Sequence, residues 1–200
     1  MKKIILASKS PRRQALLKQI GLSFEIKVSD IEEEIDKNLP IEEQVQKLAY
    51  DKAKAVEVLV KEPCIIIGAD TIVTCGEHIL GKPKNTQDAY RMLHMLQGQI
   101  HTVYTGVAIL EKDRNQLGSS LCFTESARVY MKALSNEEIW SYIDSKEPND
   151  KAGSYAIQGK GSIFVERIEG DYNTVVGLPL ARLYDALKNK IDIKKYWLQS

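Results

Sequence analysis

At 200 residues the chain has the length of one domain, or of one domain with two lobes, and it can bury a sizeable core. A hydrophobic share of 44% and a charged share of 28% exclude a disordered chain, a collagen-like chain and a disulfide miniprotein. Lys and Arg total 28 against 27 Asp and Glu, a net charge of +1. No bulk field holds a polyanion, which argues against general nucleic-acid binding, and any bound anion needs a local cluster.

In chain order, residues 3–7 (KIILA) read as a short buried strand. Ser10 and Pro11 then open a helix, with Ser as the cap and Pro at the first helical position. Leu16, Leu17 and Ile20 form its apolar stripe, and Gly21 ends it. Phe24, Ile26 and Val28 alternate as a strand. Pro40 precedes a long helix that reaches about Val60. Residues 64–74 (CIIIGADTIVT) start flat and apolar, as a buried central strand does. Residues 85–97 are helical, with Ala89, Met92, Leu93 and Leu96 on one face. Two long strands fill 99–132 around a polar turn near 113–118. Ser135 caps a helix to about Ile143, and a last helix runs from about Leu178 to Lys190. The mixture predicts an α/β fold with a long antiparallel portion.

Cys64, Cys75 and Cys122 are odd in number and show no C-x-x-C spacing, so neither a disulfide framework nor a zinc site is expected. The N-terminal IILA is too short for a signal-peptide core or a membrane span. The expected setting is a reducing cytoplasm, with no membrane partner.

Four places break local rules. In SKSPRR (8–13), Arg12 and Arg13 occupy the first helical turn, where the macrodipole disfavours cations. Free backbone N–H groups, the hydroxyls of Ser8 and Ser10 and two guanidinium groups have the composition of a phosphate site. Two solvated surface arginines are the alternative. Lys52 falls in the middle of the stripe formed by Val45, Leu48, Ala49, Val56 and Leu59, so it must snorkel out or meet an anion. Asp70 closes the apolar run CIIIGA, as a metal ligand, a general base or a turn former beside Gly68. In the acidic string from Ile31 to Asp36, an extended chain would point Glu33 inward between Ile31 and Ile35, where it wants a cation; a solvated charged face is the alternative. Two carboxylates and about four cations at such positions suit a metal-bound polyphosphate.

The same segments resemble the Maf family of nucleoside triphosphate pyrophosphatases. The match runs through SKSPRR, the EEEID string, DKAKAV (51–56), GADTIV (68–73), GKP (81–83), TGVAIL (105–110), EPNDKAGSYAIQGKG (147–161) and GDYNTVVGLPL (170–180). It covers about residues 1–190 of a single domain spanning 1–200, and residues 191–200 carry no assigned role. The resemblance implies a two-lobed α/β fold like that of inosine triphosphatase, with a mixed sheet and flanking helices around a deep central cleft. It also implies a homodimer and a Mg²⁺ or Mn²⁺ cofactor.

The implied reaction is hydrolysis of a nucleoside triphosphate to the monophosphate and pyrophosphate. By position, Asp70 matches the family's proton acceptor, and Glu33 its inner acid, a metal or water partner. Glu33 and Asp70 are thus the implied metal ligands. Lys52 and Lys82 match phosphate-binding lysines, with Lys82 counted beside Asp70 and Glu33 in the catalytic set. Arg13 matches the second arginine of the S-x-S-P-R-R motif, with Ser8 opening the same substrate-binding segment. Arg12, Thr71 and Gln158 match positions tied to base choice. The AIQG loop resembles the branch acting on dTTP and UTP; a sister branch for 7-methyl-GTP has Glu at the place of Gln158. One departure is Tyr155-Ala156 where the family more usually has Tyr-Gly. Two other classes remain open: a pyrophosphatase for inosine or methylated guanosine triphosphates, and a non-catalytic nucleotide-binding regulator linked to septum formation.

Overall fold

The computed structural model describes residues 2–29, 36, 38–114 and 116–192. Glu33 and the acidic string up to Ile35 therefore lie outside the described residues. The strands are β1 (Lys3–Leu6), β2 (Glu25–Ile26), β3 (Cys64–Cys75), β4 (His78–Leu80), β5 (Ile100–Asp113), β6 (Gln116–Met131) and β7 (Val165–Glu169). The α-helices are α1 (Pro11–Gln19), α2 (Ile41–Glu57), α3 (Thr86–Leu96), α4 (Asn136–Asp144), α5 (Tyr172–Val176) and α6 (Leu180–Leu187). The expected α/β class with a mixed sheet and flanking helices is what is observed.

The strands form one sheet in the order β2-β1-β3-β5-β6-β7, with β4 paired to β3. β1 pairs parallel with β2 and with β3, whereas β3–β4 and β6–β7 are antiparallel. The chain leaves β1 through α1 to reach β2 on one side, then returns through α2 to β3 on the other side of β1. β1 and β3 therefore flank a topological switch point, and ligands of open α/β sheets settle beyond the carboxyl ends of the strands at such a point.

The chain divides into two compact units. The first comprises Met1–Asp70, Thr105–Glu125 and Gly177–Ser200, and the second Thr71–Tyr104 and Ser126–Val176. In the first unit, Ala49, Ala53 and Val56 of α2 pack on Ile5, Cys64, Ile66, Ala108 and Leu110. In the second, Leu93 and Leu96 of α3 and Ile139 and Tyr142 of α4 bury against Val73, Val103 and Val129.

Several expected elements change in extent. The strand expected around Phe24–Val28 shrinks to two residues, because β2 is the sheet edge and Ile26 stays 49% exposed. Helix α2 ends at Glu57, not near Val60, and Leu59 leaves the stripe to sit exposed. The long strands reach into the expected turn near 113–118, β5 running to Asp113 and β6 starting at Gln116. The last helix contracts to Leu180–Leu187, and a separate short helix, α5, precedes it. Ser10, Asn85 and Ser135 cap α1, α3 and α4 through their side chains, and at Ser135 the capping box with Glu138 is complete. Cys64 is fully buried, as expected of a small hydrophobe.

Candidate active site

Residues 64, 66, 68 and 70 of β3 alternate onto one face of the sheet. Cys64 and Ile66 join the core with Ala49, Ala53 and Val56 of α2, so that face looks at the helix. Gly68 is the point of closest approach: a Cβ there would stand 2.2 Å from the Ala49 carbonyl oxygen and 2.9 Å from the Ala53 Cβ. Gly106 on the neighbouring β5 does the same beneath Val45, whose carbonyl oxygen would lie 2.4 Å from an added Cβ. Two side-chain-free positions thus let the α2 backbone lie directly on β3 and β5. Two residues beyond Gly68, Asp70 faces the same helix and meets Lys52, with Nζ donating to Oδ1 at 2.6 Å. The side chains are 18% and 14% exposed, so the pair is shielded but not sealed. Of the two fates open to Lys52, the structure shows the anion. Thr71, one step on, points to the opposite face of the strand.

The SKSPRR segment leaves β1 at the same switch point, where Leu6 is in register with Ile67 and the Ala7 N–H donates to the Ile67 carbonyl at 2.8 Å. The Ser10 hydroxyl caps α1 by accepting from the Arg13 N–H, while the Ser8 hydroxyl accepts from the Ser10 N–H at 3.2 Å. Arg13 is not a solvated surface residue: it is 9% exposed. Its Nε donates to the Gly177 carbonyl at 2.8 Å and its Nη1 to the Ser8 hydroxyl at 3.2 Å. Both of these acceptors are neutral, and a guanidinium fork also suits the oxygens of a phosphate. The GDYNTVVG segment gains a role here, since it ends on the carbonyl that aims Arg13. Arg12 lies beside it, half-buried.

In the second unit, Lys82 is exposed in the turn after β4, and the Gly153 N–H donates to the neighbouring Gly81 carbonyl at 3.1 Å. Gln158 is exposed on the loop after Tyr155 and Ala156, which are buried. Ala156 is not among the residues with positive φ, so alanine replaces the family's glycine without strain. Beneath this loop the Tyr155 hydroxyl meets Nε2 of His101 at 2.8 Å. Burial pushes the Tyr155 phenol up and the His101 imidazole down to about 4. His101 lies outside the matched segments and Glu147 merely opens EPNDKAGSYAIQGKG, so neither had an expected role, and tertiary contacts reveal both.

The arrangement is that of an α/β ligand-binding protein with an acid, a paired lysine and a buried arginine around the switch point. Residues 3–190 match the profile of the Maf family, described as "Maf-like protein", and the chain belongs to that family. Curated relatives agree along nearly the whole length. One from Bacillus cereus (strain ATCC 10987 / NRS 248) is 53% identical over 194 residues, covering 96% of this chain and 93% of its own. Another, from Thermoanaerobacter sp. (strain X514), is 48% identical over 192 residues, covering 96% and 98%. Both are named dTTP/UTP pyrophosphatase. Among solved structures, the Ham1 protein of Staphylococcus aureus shares the fold with a TM-score of 0.50 at 13% identity, covering 95% of this chain and 100% of that one.

Proposed function

We propose that the chain is a nucleoside triphosphate pyrophosphatase that hydrolyses dTTP and UTP to the monophosphate and pyrophosphate. The observation that carries this reading is full-length identity of about one half to relatives of that name. The shielded Asp70–Lys52 pair at the switch point supports it, because a pure nucleotide binder needs cations but no proton acceptor.

In this mechanism Asp70 takes a proton from the water that attacks the α-phosphorus. The bond to the bridging oxygen breaks, and pyrophosphate leaves with its electron pair. Lys52 orients the Asp70 carboxylate through Oδ1 and stands ready beside the phosphates. Arg13, aimed by Gly177 and Ser8, and Arg12 and Lys82 neutralise phosphate charge, so most of the acceleration is electrostatic alignment. Thr71 and Gln158 serve base choice.

A carboxylate oxygen is a hard donor, and Mg²⁺ commonly takes one or two carboxylates and completes its shell with substrate phosphates and water. Asp70 fits that mode, with Glu33 as a second ligand. When bound, Mg²⁺ or Mn²⁺ supplies charge neutralisation on the phosphate oxygens.

The three thiols are unpaired, which suits a reducing cytoplasm. No helix among the described residues is long and apolar enough to cross a membrane. A homodimer is part of the same reading, on the family resemblance. A panel of canonical and modified triphosphates, scored for released pyrophosphate with and without Mn²⁺, tests the assignment. Preferred release from dTTP and UTP is expected; binding without turnover would favour the regulator, and preference for inosine or methylated guanosine triphosphates the other pyrophosphatase class.

A further inference from the structure

Glu147 stands at the start of the EPNDKAGSYAIQGKG segment, where the chain turns out of α4 through Lys146 in the left-handed region (φ 61). That turn sends its carboxylate back under the loop that carries Gln158. Oε1 accepts from the Gly161 N–H at 3.1 Å and from the Tyr142 hydroxyl at 2.9 Å, and Oε2 accepts from the Lys160 N–H at 3.1 Å. The Tyr142 hydroxyl in turn accepts from the Ala156 N–H at 3.0 Å. One carboxylate and one phenol therefore grip the backbone on both sides of Gln158. Gly159 completes the clamp. It adopts φ 143, which side-chain-bearing residues rarely reach, and a Cβ there would fall 2.7 and 2.8 Å from the two Glu147 oxygens.

We infer that Glu147 is a positioning residue for base selection: it holds the 156–161 loop in the one backbone shape that presents the Gln158 amide. This rests on the reading of Gln158 as the group that senses the base. The chemistry favours a carboxylate specifically. Two backbone N–H groups and a hydroxyl converge, and an ionised carboxylate accepts from all three. A glutamine of the same shape must turn its amide N–H₂ toward one of these donors and loses that contact. Desolvation opposes ionisation of Glu147, but hydrogen bonds from Gly161, Lys160 and Tyr142 outweigh it and hold the carboxyl below its ordinary range. Lys151, whose Nζ donates to the Glu147 carbonyl, adds to the same side.

The test compares kcat/KM for dTTP with that for dGTP in wild type, Glu147→Gln, Tyr142→Phe, Gln158→Ala and the Glu147→Gln/Gln158→Ala double variant. Hydrogen exchange at the Lys160 and Gly161 amides is followed in parallel. Glu147→Gln is expected to lower the dTTP-over-dGTP ratio by about 5–50-fold and to speed exchange at those two amides. Tyr142→Phe keeps the buried ring and removes only the hydroxyl, so it moves the ratio the same way by less. The double variant discriminates no worse than Gln158→Ala alone, because both changes act through one side chain. If Gln158→Ala shifts the ratio while Glu147→Gln scales both substrates by one factor, Glu147 is merely structural and the inference falls. If Gln158→Ala leaves the ratio intact, the reading of Gln158 fails and takes this inference with it.

Discussion

The chemistry proposed for Asp70 rests on its place, one step along the same strand face from a glycine that lets a helix press down, within 2.6 Å of Lys52. In the proposed mechanism, Asp70→Asn keeps the shape but removes the proton acceptor and weakens metal binding. Turnover of dTTP should fall by at least about 10²-fold with the fold retained by circular dichroism, and near-normal turnover would remove Asp70 from the mechanism. Gln158→Glu addresses the base. Thymine and uracil present an N3–H donor between two carbonyl acceptors, which an amide pairs with in both senses. A carboxylate only accepts, so kcat/KM for dTTP and UTP should drop by about 5–150-fold, while the two adjacent donors of guanine gain relative to them. An equal loss on every nucleotide in a substrate panel would assign Gln158 to loop support alone.

Among the elements, the α2–β3 contact decides whether the acid and the lysine meet. Gly68→Ala places a methyl 2.2 Å from the Ala49 carbonyl oxygen, a backbone atom that moves only if the helix does. Such overpacking costs about 1–3 kcal/mol, read as a lower urea midpoint, and should reduce activity by separating Lys52 from Asp70. Wild-type stability and activity in this variant would show that the helix does not rest there. The apolar stripe of α2, the cap at Ser10 and the buried run into Asp70 were legible in the sequence because each is a local pattern with its own period or spacing. The stripe also marked Lys52 as anomalous, though not which anion it meets. Gly68, the carbonyl of Gly177 and the carboxylate of Glu147 were not legible as site elements. Their work is done through tertiary contacts, and a strand glycine, a turn glycine or a lone glutamate looks the same in sequence whether or not a partner sits over it. The two-residue β2 escaped for a related reason: Phe24, Ile26 and Val28 alternate well, but an edge position offers little to pair with.

For the whole molecule, stability should respond to pH through His101, which is 1% exposed and whose imidazole burial pushes down to about 4 from an ordinary 6.5. The folded state binds this proton less readily than the unfolded chain, so the contribution is present above about 6.5 and is lost as pH falls toward 4. From pH 6.5 to 4.5 it should remove about 2 kcal/mol of stability. His101→Gln, which can keep a hydrogen bond to the Tyr155 hydroxyl, should flatten that part of the profile in urea titrations; an unchanged slope would place the titrating group elsewhere. The chemistry is tested most directly by turning over dTTP in ¹⁸O-labelled water and weighing both products by mass spectrometry. Attack at the α-phosphorus puts one labelled oxygen into dTMP and none into pyrophosphate. Label in pyrophosphate, or release of orthophosphate in its place, would contradict the account.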